Sequence, residues 1–259
     1  MKKIKIIVAT HKKYEMPNDD MYIPIQVGSE GKEKLGYVCD NSGDNISIKN
    51  SSYCELTGLY WAWKNLDYDY LGLTHYRRHF TVKSNLYKRK YGKFASIATT
   101  QEITKFLKST DIILPKKRYY LIETIYSHYV HTHHAKPLEE AGKLIATDYP
   151  EYLDSWNKVM NHRSAHMFNM FIMKADKVEE YCSFLFEFLE KLEGRVDISD
   201  YDAFQARVYG RISEILLDVW LDYKKYPYKE MGFLYMEPVH WSKKIIKFLK
   251  SKFLHQLYS

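Results

Sequence analysis

Residues 68–80 read YDYLGLTHYRRHF. The centre of this stretch, Tyr70-Leu71-Gly72-Leu73, carries no charge, which suits a strand buried on both faces of a mainly parallel sheet flanked by helices. The sequence then turns polar and basic at once: Thr74, His75, Tyr76, Arg77, Arg78, His79. Open α/β sheets bind ligands just past the carboxyl ends of their strands, so a ligand is expected at this edge. Two Arg and two His there suit an anion, because a guanidinium keeps its charge and grips phosphate through paired hydrogen bonds. The competing reading is a solvated basic turn.

Working outward, the same apolar-to-basic passage recurs. Residues 3–8 form a β-rich run ending at Ala9-Thr10-His11-Lys12, and residues 111–115 form one ending at Lys116-Lys117-Arg118. Residues 21–27 read as a second strand. Residues 53–65 read as a helix capped by Ser51 or Ser52, with Glu55 in its first turn and Leu56, Leu59, Tyr60 and Trp63 as its apolar stripe. Strand, strand, loop, helix, strand is the order of a mononucleotide-binding half-domain. Residues 83–93 read as a basic, Tyr-rich loop and 101–109 as a helix. Further helices are expected at 137–146, 152–160, 177–192 and 203–220, with a strand at 167–173 that encloses Asn169. The expected organisation is one α/β domain at 1–238, in two halves at 1–115 and 116–238, the first of them nucleotide-binding. A basic amphipathic C-terminal helical segment follows at 239–259.

The 259 residues carry 39 Lys and Arg against 32 Asp and Glu, a formal charge of +7. That excess fits an anionic substrate, a membrane surface or nucleic acid. No helix-turn-helix pattern, alternating RNP aromatics or Gly-Lys-Ser phosphate loop is present, so nucleic acid is not the expected partner. The 24 Tyr against 12 Phe favour half-wet grooves where rings stack on sugars or bases, although a low-GC coding bias produces the same excess. Cys39, Cys54 and Cys182 are scattered and odd in number, which indicates neither a disulfide framework nor a zinc knuckle. The opening MKKIKIIVATHKKY lacks a signal-peptide core and cleavage site, and no window approaches the roughly 20 apolar residues of a membrane span. A cytoplasmic location is expected.

Two Asp-x-Asp pairs have the spacing that holds a divalent cation against a diphosphate. Asp67 and Asp69 precede their strand and fall at the edge away from the expected ligand; Asp200 and Asp202 precede a helix, where Asp is more often a cap. His128, His131, His133 and His134 crowd one segment. The nearest acids in sequence, Glu139 and Glu140, lie beyond a proline, so an acceptor-binding or acid–base His is favoured over zinc. Arg207, Arg211 and Glu214 share a helix face at spacings of 4 and 3, either as a solvated ion-paired face or as placed polar groups.

VATHKKY (8–14), DNISIKNSSYCELTGLYWAWKN (44–65), YLGLTHYRRHF (70–80), NMFIMK (169–174) and QARVYGRISEILLDVWL (205–221) together resemble a family from capsular and exopolysaccharide gene clusters. That family was long carried as a domain of unknown function and is now regarded as a group of glycosyltransferases. The resemblance implies a GT-A-like fold, a UDP-sugar donor and a lipid-linked glycan acceptor in capsule, exopolysaccharide or O-antigen synthesis. It further implies galactofuranose or galactose as the sugar, transferred with inversion. On this reading Thr10, His11, Lys12, Asn45, Lys49, His75, Tyr76, Arg77 and Arg78 bind the donor. His128, His134, Asn169, Gln205 and Arg207 bind the acceptor, and Asp202, Glu214 and His131 are the candidates for the base. Most GT-A enzymes place Asp-x-Asp and a metal where this chain has His75-Tyr76-Arg77-Arg78, so a metal-independent transfer without cofactor is expected. The family's last motif reads Ser-Glu-Arg, whereas here Ile215 follows Ser213-Glu214; Arg211, three residues before Glu214, is the nearest substitute for the missing cation. Lys243, Lys244, Lys247, Lys250 and Lys252 in the last segment suit an anionic membrane surface, which makes the expected protein peripheral at the inner membrane face. The alternative is a non-catalytic module that binds polysaccharide or nucleic acid.

Overall fold

The computed structural model describes residues 2–120 and 122–238. Along the chain run β1 (Ile4–Thr10), β2 (Tyr22–Gln26), β3 (Val38–Cys39), α1 (Asn50–Tyr53), α2 (Leu56–Asn65), β4 (Tyr70–His75), β5 (Arg78–Thr81), α3 (Asn85–Tyr91), α4 (Thr100–Phe106) and β6 (Ile112–Pro115). Then come β7 (Arg118–Tyr119), α5 (Ile125–Thr132), α6 (Lys136–Asp148), α7 (Leu153–Met160), β8 (Ser164–Ala165), β9 (Phe171–Lys174), α8 (Ala175–Glu193), α9 (Val208–Lys224) and β10 (Lys229–Tyr235). These elements form two units. One holds the chain up to Lys116 together with Phe168–Cys182 and Pro227–Pro238; the other holds Lys117–Met167 and Ser183–Tyr226.

The first unit is built on an eight-stranded mixed sheet in the order β3-β2-β1-β4-β5-β10-β6-β9, with β4 also pairing β9. Strands β1, β2, β3 and β4 pair in parallel, as do β6 and β10. Pairings β4–β5, β5–β10, β4–β9 and β6–β9 are antiparallel. The parallel side comes from the strand–helix–strand order of the first 75 residues, and the antiparallel strands enter by a hairpin or from later parts of the chain. Strand β4 is central and its first five residues are buried, as its uncharged sequence demands. Gly72 is the residue that lets its neighbours close in. A Cβ there would stand 2.9 Å from Ile172 Cγ1, 3.0 Å from the Phe171 carbonyl oxygen and 3.1 Å from Ile6 Cγ1. Helix α2 covers one face through Leu56 and Leu59, and Gly58 lies against Val27, Ile25 and Ile7.

The second unit is helical, built from α5, α6, α7, α9 and the later turns of α8, with a β7–β8 ribbon. Leu144, Leu185, Phe188, Leu216 and Trp220 are wholly buried in it. No described helix is long and apolar enough to cross a membrane.

Several expected elements differ. The helix at 53–65 is two helices, because Asn50 Nδ2 donates to the Cys54 carbonyl (2.7 Å) and Cys54 takes φ 55°. Its buried side is Leu56, Leu59, Trp61 and Ala62 rather than Tyr60 and Trp63. Residues 83–93 are not all loop: Ser84 accepts from Tyr87 N (3.2 Å) and starts α3. Asn169 precedes β9 instead of lying inside the strand. Residues 203–207 are not helical, so Arg207 stands at the N-cap of α9 and not on a shared face with Arg211 and Glu214. Strands β5 and β10 have no counterpart in the sequence reading. The helix expected at 239–259 lies outside the described residues.

Candidate functional site

His75 pairs with Arg78 across the β4–β5 hairpin, which leaves Tyr76 and Arg77 as its two-residue turn. β1 runs alongside in register, Ala9 opposite His75, and the Tyr76 N–H donates to the Ala9 carbonyl at 3.2 Å. Thr10 is buried. Its hydroxyl donates to the Lys12 carbonyl (2.6 Å) and accepts from the Lys12 N–H (3.3 Å), which turns the chain sharply as β1 ends. The two strand ends therefore converge on one ring, that of Tyr76. His11 meets it edge-on at 5.4 Å and Tyr14 at 5.0 Å, while the Lys12 ammonium and the Arg77 guanidinium lie 5.0 Å and 5.2 Å from its centroid.

Glu237, two residues past β10, ties the two cations together. Its carboxylate lies 3.1 Å from Lys12 Nζ and 3.8 Å from Arg77 Nη1. The Glu237 hydrogen bond raises the Lys12 pKa, against the small desolvation that lowers it. One carboxylate bridging two half-exposed cations shows that their spacing suits a shared anion.

His75 is only partly exposed, and burial lowers its pKa while Glu55 opposes the shift. His75 Nε2 lies 2.7 Å from the Phe168 carbonyl; a carbonyl only accepts, so Nε2 carries the proton and Nδ1 keeps its lone pair. Glu55 Oε1, 3.7 Å from that Nε2, accepts from Asn169 Nδ2 at 2.7 Å. Both residues of this return take the left-handed region, Phe168 at φ 77° and Asn169 at φ 53°. For Phe this is costly, and the ring is held in place by Arg78 at 4.0 Å and Phe233 at 5.5 Å. Asn169→Ala removes the donor to the buried Glu55 carboxylate and puts a Cβ-only residue at positive φ, so stability should fall by about 2–4 kcal/mol. Asn169→Gly keeps the backbone freedom and should recover about 1 kcal/mol of that loss in urea unfolding.

The structure thus joins Thr10, His11, Lys12, Tyr76 and Arg77, with His75 at the end of β4 and Asn169 just before β9. Arg78 goes a different way, stacking on Phe168 and, at 5.8 Å, facing Tyr235. Asn45 and Lys49 make their contacts elsewhere: Asn45 bonds the Gly43 carbonyl and the Ser47 N–H, and Lys49 lies 5.5 Å from the Tyr53 ring. That segment closes over Asp40, which is fully buried and was not singled out in the sequence.

In the second unit the acid of the His cluster is neither Glu139 nor Glu140 but Glu123, only 2% exposed. It accepts from His128 Nδ1 at 3.0 Å and from His131 Nδ1 at 2.5 Å. Burial lowers the His128 pKa and the Glu123 hydrogen bond opposes this. Tyr120 stacks on His128 at 4.3 Å; burial raises its pKa, Arg118 opposes, and the charges of Glu214, Asp218 and Glu123 add to the rise. A dyad no sequence signal announced lies in the same unit: His166 Nδ1 stands 2.5 Å from Asp218 Oδ1, and both residues are buried.

The remaining candidates are committed to local structure. His134 stacks on Tyr201 at 4.2 Å. Gln205 is buried, donating to the Thr132 carbonyl (3.2 Å) and facing His133 Nδ1 (3.1 Å). Burial, with Arg211 adding, pushes the His133 pKa down to about 3. Asp202 is exposed and caps the Gln205 and Phe204 N–H groups, each at 2.8 Å, and these bonds lower its pKa. Arg207 is exposed, and Arg211 binds the carbonyls of Phe204 and Gln205.

Each Asp-x-Asp pair has members committed to other contacts. Asp67 is ion-paired with Lys3, and Asp69 accepts the Lys3 N–H at 2.6 Å. Asp202 is occupied as a cap, and among the described residues no group of three or more His, Cys, Asp or Glu is placed to hold an ion.

A family profile described as a domain of unknown function, DUF4422, matches residues 5–225. Among solved structures the chain is similar to the apo structure of WbbM, a bifunctional glycosyltransferase, with 28% identity and a TM-score of 0.82. The match covers 91% of this chain and 46% of that one, so the chain spans just under half of that protein's length. No curated protein matches the chain by sequence.

Proposed function

The chain belongs to the DUF4422 family, and from that premise we propose that it is a glycosyltransferase whose first unit binds the diphosphate of a UDP-sugar. The observation that carries this is the convergence of Lys12 and Arg77 on Tyr76 at the carboxyl ends of β1 and β4. The similarity to a bifunctional glycosyltransferase supports it. The diphosphate takes the place of the Glu237 carboxylate between the two cations. As the glycosidic C–O bond breaks, the leaving diphosphate gains charge, and cations already fixed in place stabilise it without reorganising. Tyr14, half-buried at the same edge, offers its ring to the base or the sugar.

The acceptor is a lipid-linked glycan, and the sugar is galactofuranose or galactose, transferred with inversion. The base that takes the proton of the attacking hydroxyl is one of Asp202, Glu214 and His131, and of these His131 has its Nδ1–H held by the buried Glu123. The protein works in the cytoplasm at the inner membrane face. The test is thermal unfolding with UDP, GDP, CMP or buffer, followed by transfer from the UDP-sugar. A stabilisation specific to UDP supports the reading, and no shift with any nucleotide favours a non-catalytic glycan-binding module.

With basic residues at the strand edge where an acid pair would be expected, Lys12 and Arg77 supply the charge that a cation supplies elsewhere. Transfer is expected to persist in EDTA at close to its full rate. Complete loss on chelation with recovery in Mn²⁺ would refute this.

A further inference from the structure

Helix α3 buries none of its residues. Seven residues are well short of the length at which a helix holds itself in water, and nothing in the core rewards this one. It is formed by its ends: the Ser84 hydroxyl caps it, and Gly92 at φ 86° stops it. Its apolar side chains face outward. Leu86 is 75% exposed, Tyr91 53% and the preceding Val82 40%. Residues 82–93 contain five cations, Lys83, Lys88, Arg89, Lys90 and Lys93, and no acid. Lys83 is paired with Glu102, whereas Lys88, Arg89 and Lys90 have no carboxylate partner among the described residues.

At helical spacing Leu86 and Lys90 fall together, as do Tyr87 and Tyr91, whose rings pack at 4.6 Å. Lys88 and Arg89 flank that face. We propose that α3 and Val82 form a membrane-contact surface for an anionic bilayer. Leu86, Val82 and Tyr91 enter the headgroup boundary, and Lys88, Arg89 and Lys90 lie against the lipid charges, with Lys90 extending its stem along the apolar face. Charge complementarity selects an anionic partner. Exposed Leu and Val beside the cations select a bilayer over a nucleic acid, whose phosphates offer aliphatic side chains nothing to bury against. This surface is independent of residues 239–259 and does not rest on the glycosyltransferase reading.

The test is co-sedimentation of the full chain with phosphatidylcholine–phosphatidylglycerol vesicles and with phosphatidylcholine alone, at low and high salt. The triple variant Lys88→Glu, Arg89→Glu, Lys90→Glu should bind the anionic vesicles roughly a hundredfold more weakly, at about fivefold per cation. Its thermal unfolding should change little, since Arg89 and Lys90 are exposed and Lys88 is half-buried with no carboxylate partner among the described residues. Because the last segment brings cations of its own, Leu86→Trp keeps the readout local: quenching of the added indole by brominated anionic lipid is the expected result. Equal vesicle binding by the charge-reversed chain, or an indole at position 86 that brominated lipid does not quench, overturns the proposal. So does loss of binding to a single-stranded RNA probe with vesicle binding intact, which would make the patch a nucleic-acid surface.

Discussion

Alanine at both Lys12 and Arg77 is expected to weaken UDP binding by about 3 kcal/mol, roughly a hundredfold, which titration calorimetry can resolve. The argument is geometric. Both cations rest on the Tyr76 ring and both reach one carboxylate, so an anion bound there meets two charges at once. Thermal stability should hardly move, because each side chain is more than 40% exposed and exposed ion pairs contribute little. Arg77→Lys should recover only part of the loss, since an ammonium cannot make the paired bonds of a guanidinium. Glu237→Gln supplies the opposite sign. It removes the carboxylate that competes for the same two cations, and UDP should bind a few-fold tighter. Unchanged affinity in the double variant would show that the nucleotide is held elsewhere.

What was readable in the sequence is what is local. An uncharged run passing straight into His and Arg marks a buried strand and its end within a few residues, and β4 lies where that reading puts it. The convergence of β1 and β4 followed from the strand order. What was not readable comes from far along the chain. Glu237 meets Lys12 across 225 positions, after a strand with no alternating pattern to announce it. Asn169 meets Glu55 across 114 positions, and nothing about Glu55 in a first helical turn distinguishes it from an ordinary favourable charge. The break at Cys54 is made by a side chain, Asn50, so apolar periodicity runs through it unmarked. Helix α3 was missed for the converse reason: its apolar residues face outward, so they trace no buried stripe. The stretch 203–207 stays out of α9 because Asp202 caps its first N–H groups and Arg211 takes two of its carbonyls.

Asp40→Ala should be the most destabilising single change in the first unit, at about 4 kcal/mol or more. The Asp40 carboxylate is fully buried and accepts from the Gly28 N–H (2.7 Å), the Ser29 N–H (3.0 Å) and the hydroxyls of Ser29 (2.8 Å), Ser47 and Thr57 (2.6 Å). Burial alone would raise its pKa; the bonds from Ser29, Ser47, Thr57 and Gly28 outweigh that and lower it. Truncation strands two backbone donors and three hydroxyls. It also frees three segments at once: the turn after β2, where Gly28 at φ 60° has no room for a Cβ beside Asn50, the residues around Ser47, and the first turns of α2. At about 2–4 °C per kcal/mol for a chain of this size, the melting temperature should drop by roughly 10 °C or more. Asp40→Asn should recover only part, because an amide nitrogen then faces one set of donors. The pH dependence carries the same sign. A carboxylate with a depressed pKa stabilises the fold fully above its unfolded value of about 4, and the contribution is lost as pH falls below that. Wild type should therefore lose stability as pH falls below about 4, while Asp40→Asn should show a shallower slope there. Parallel slopes would mean that other carboxylates, Asp222 with its pKa near 2 among them, dominate acid unfolding.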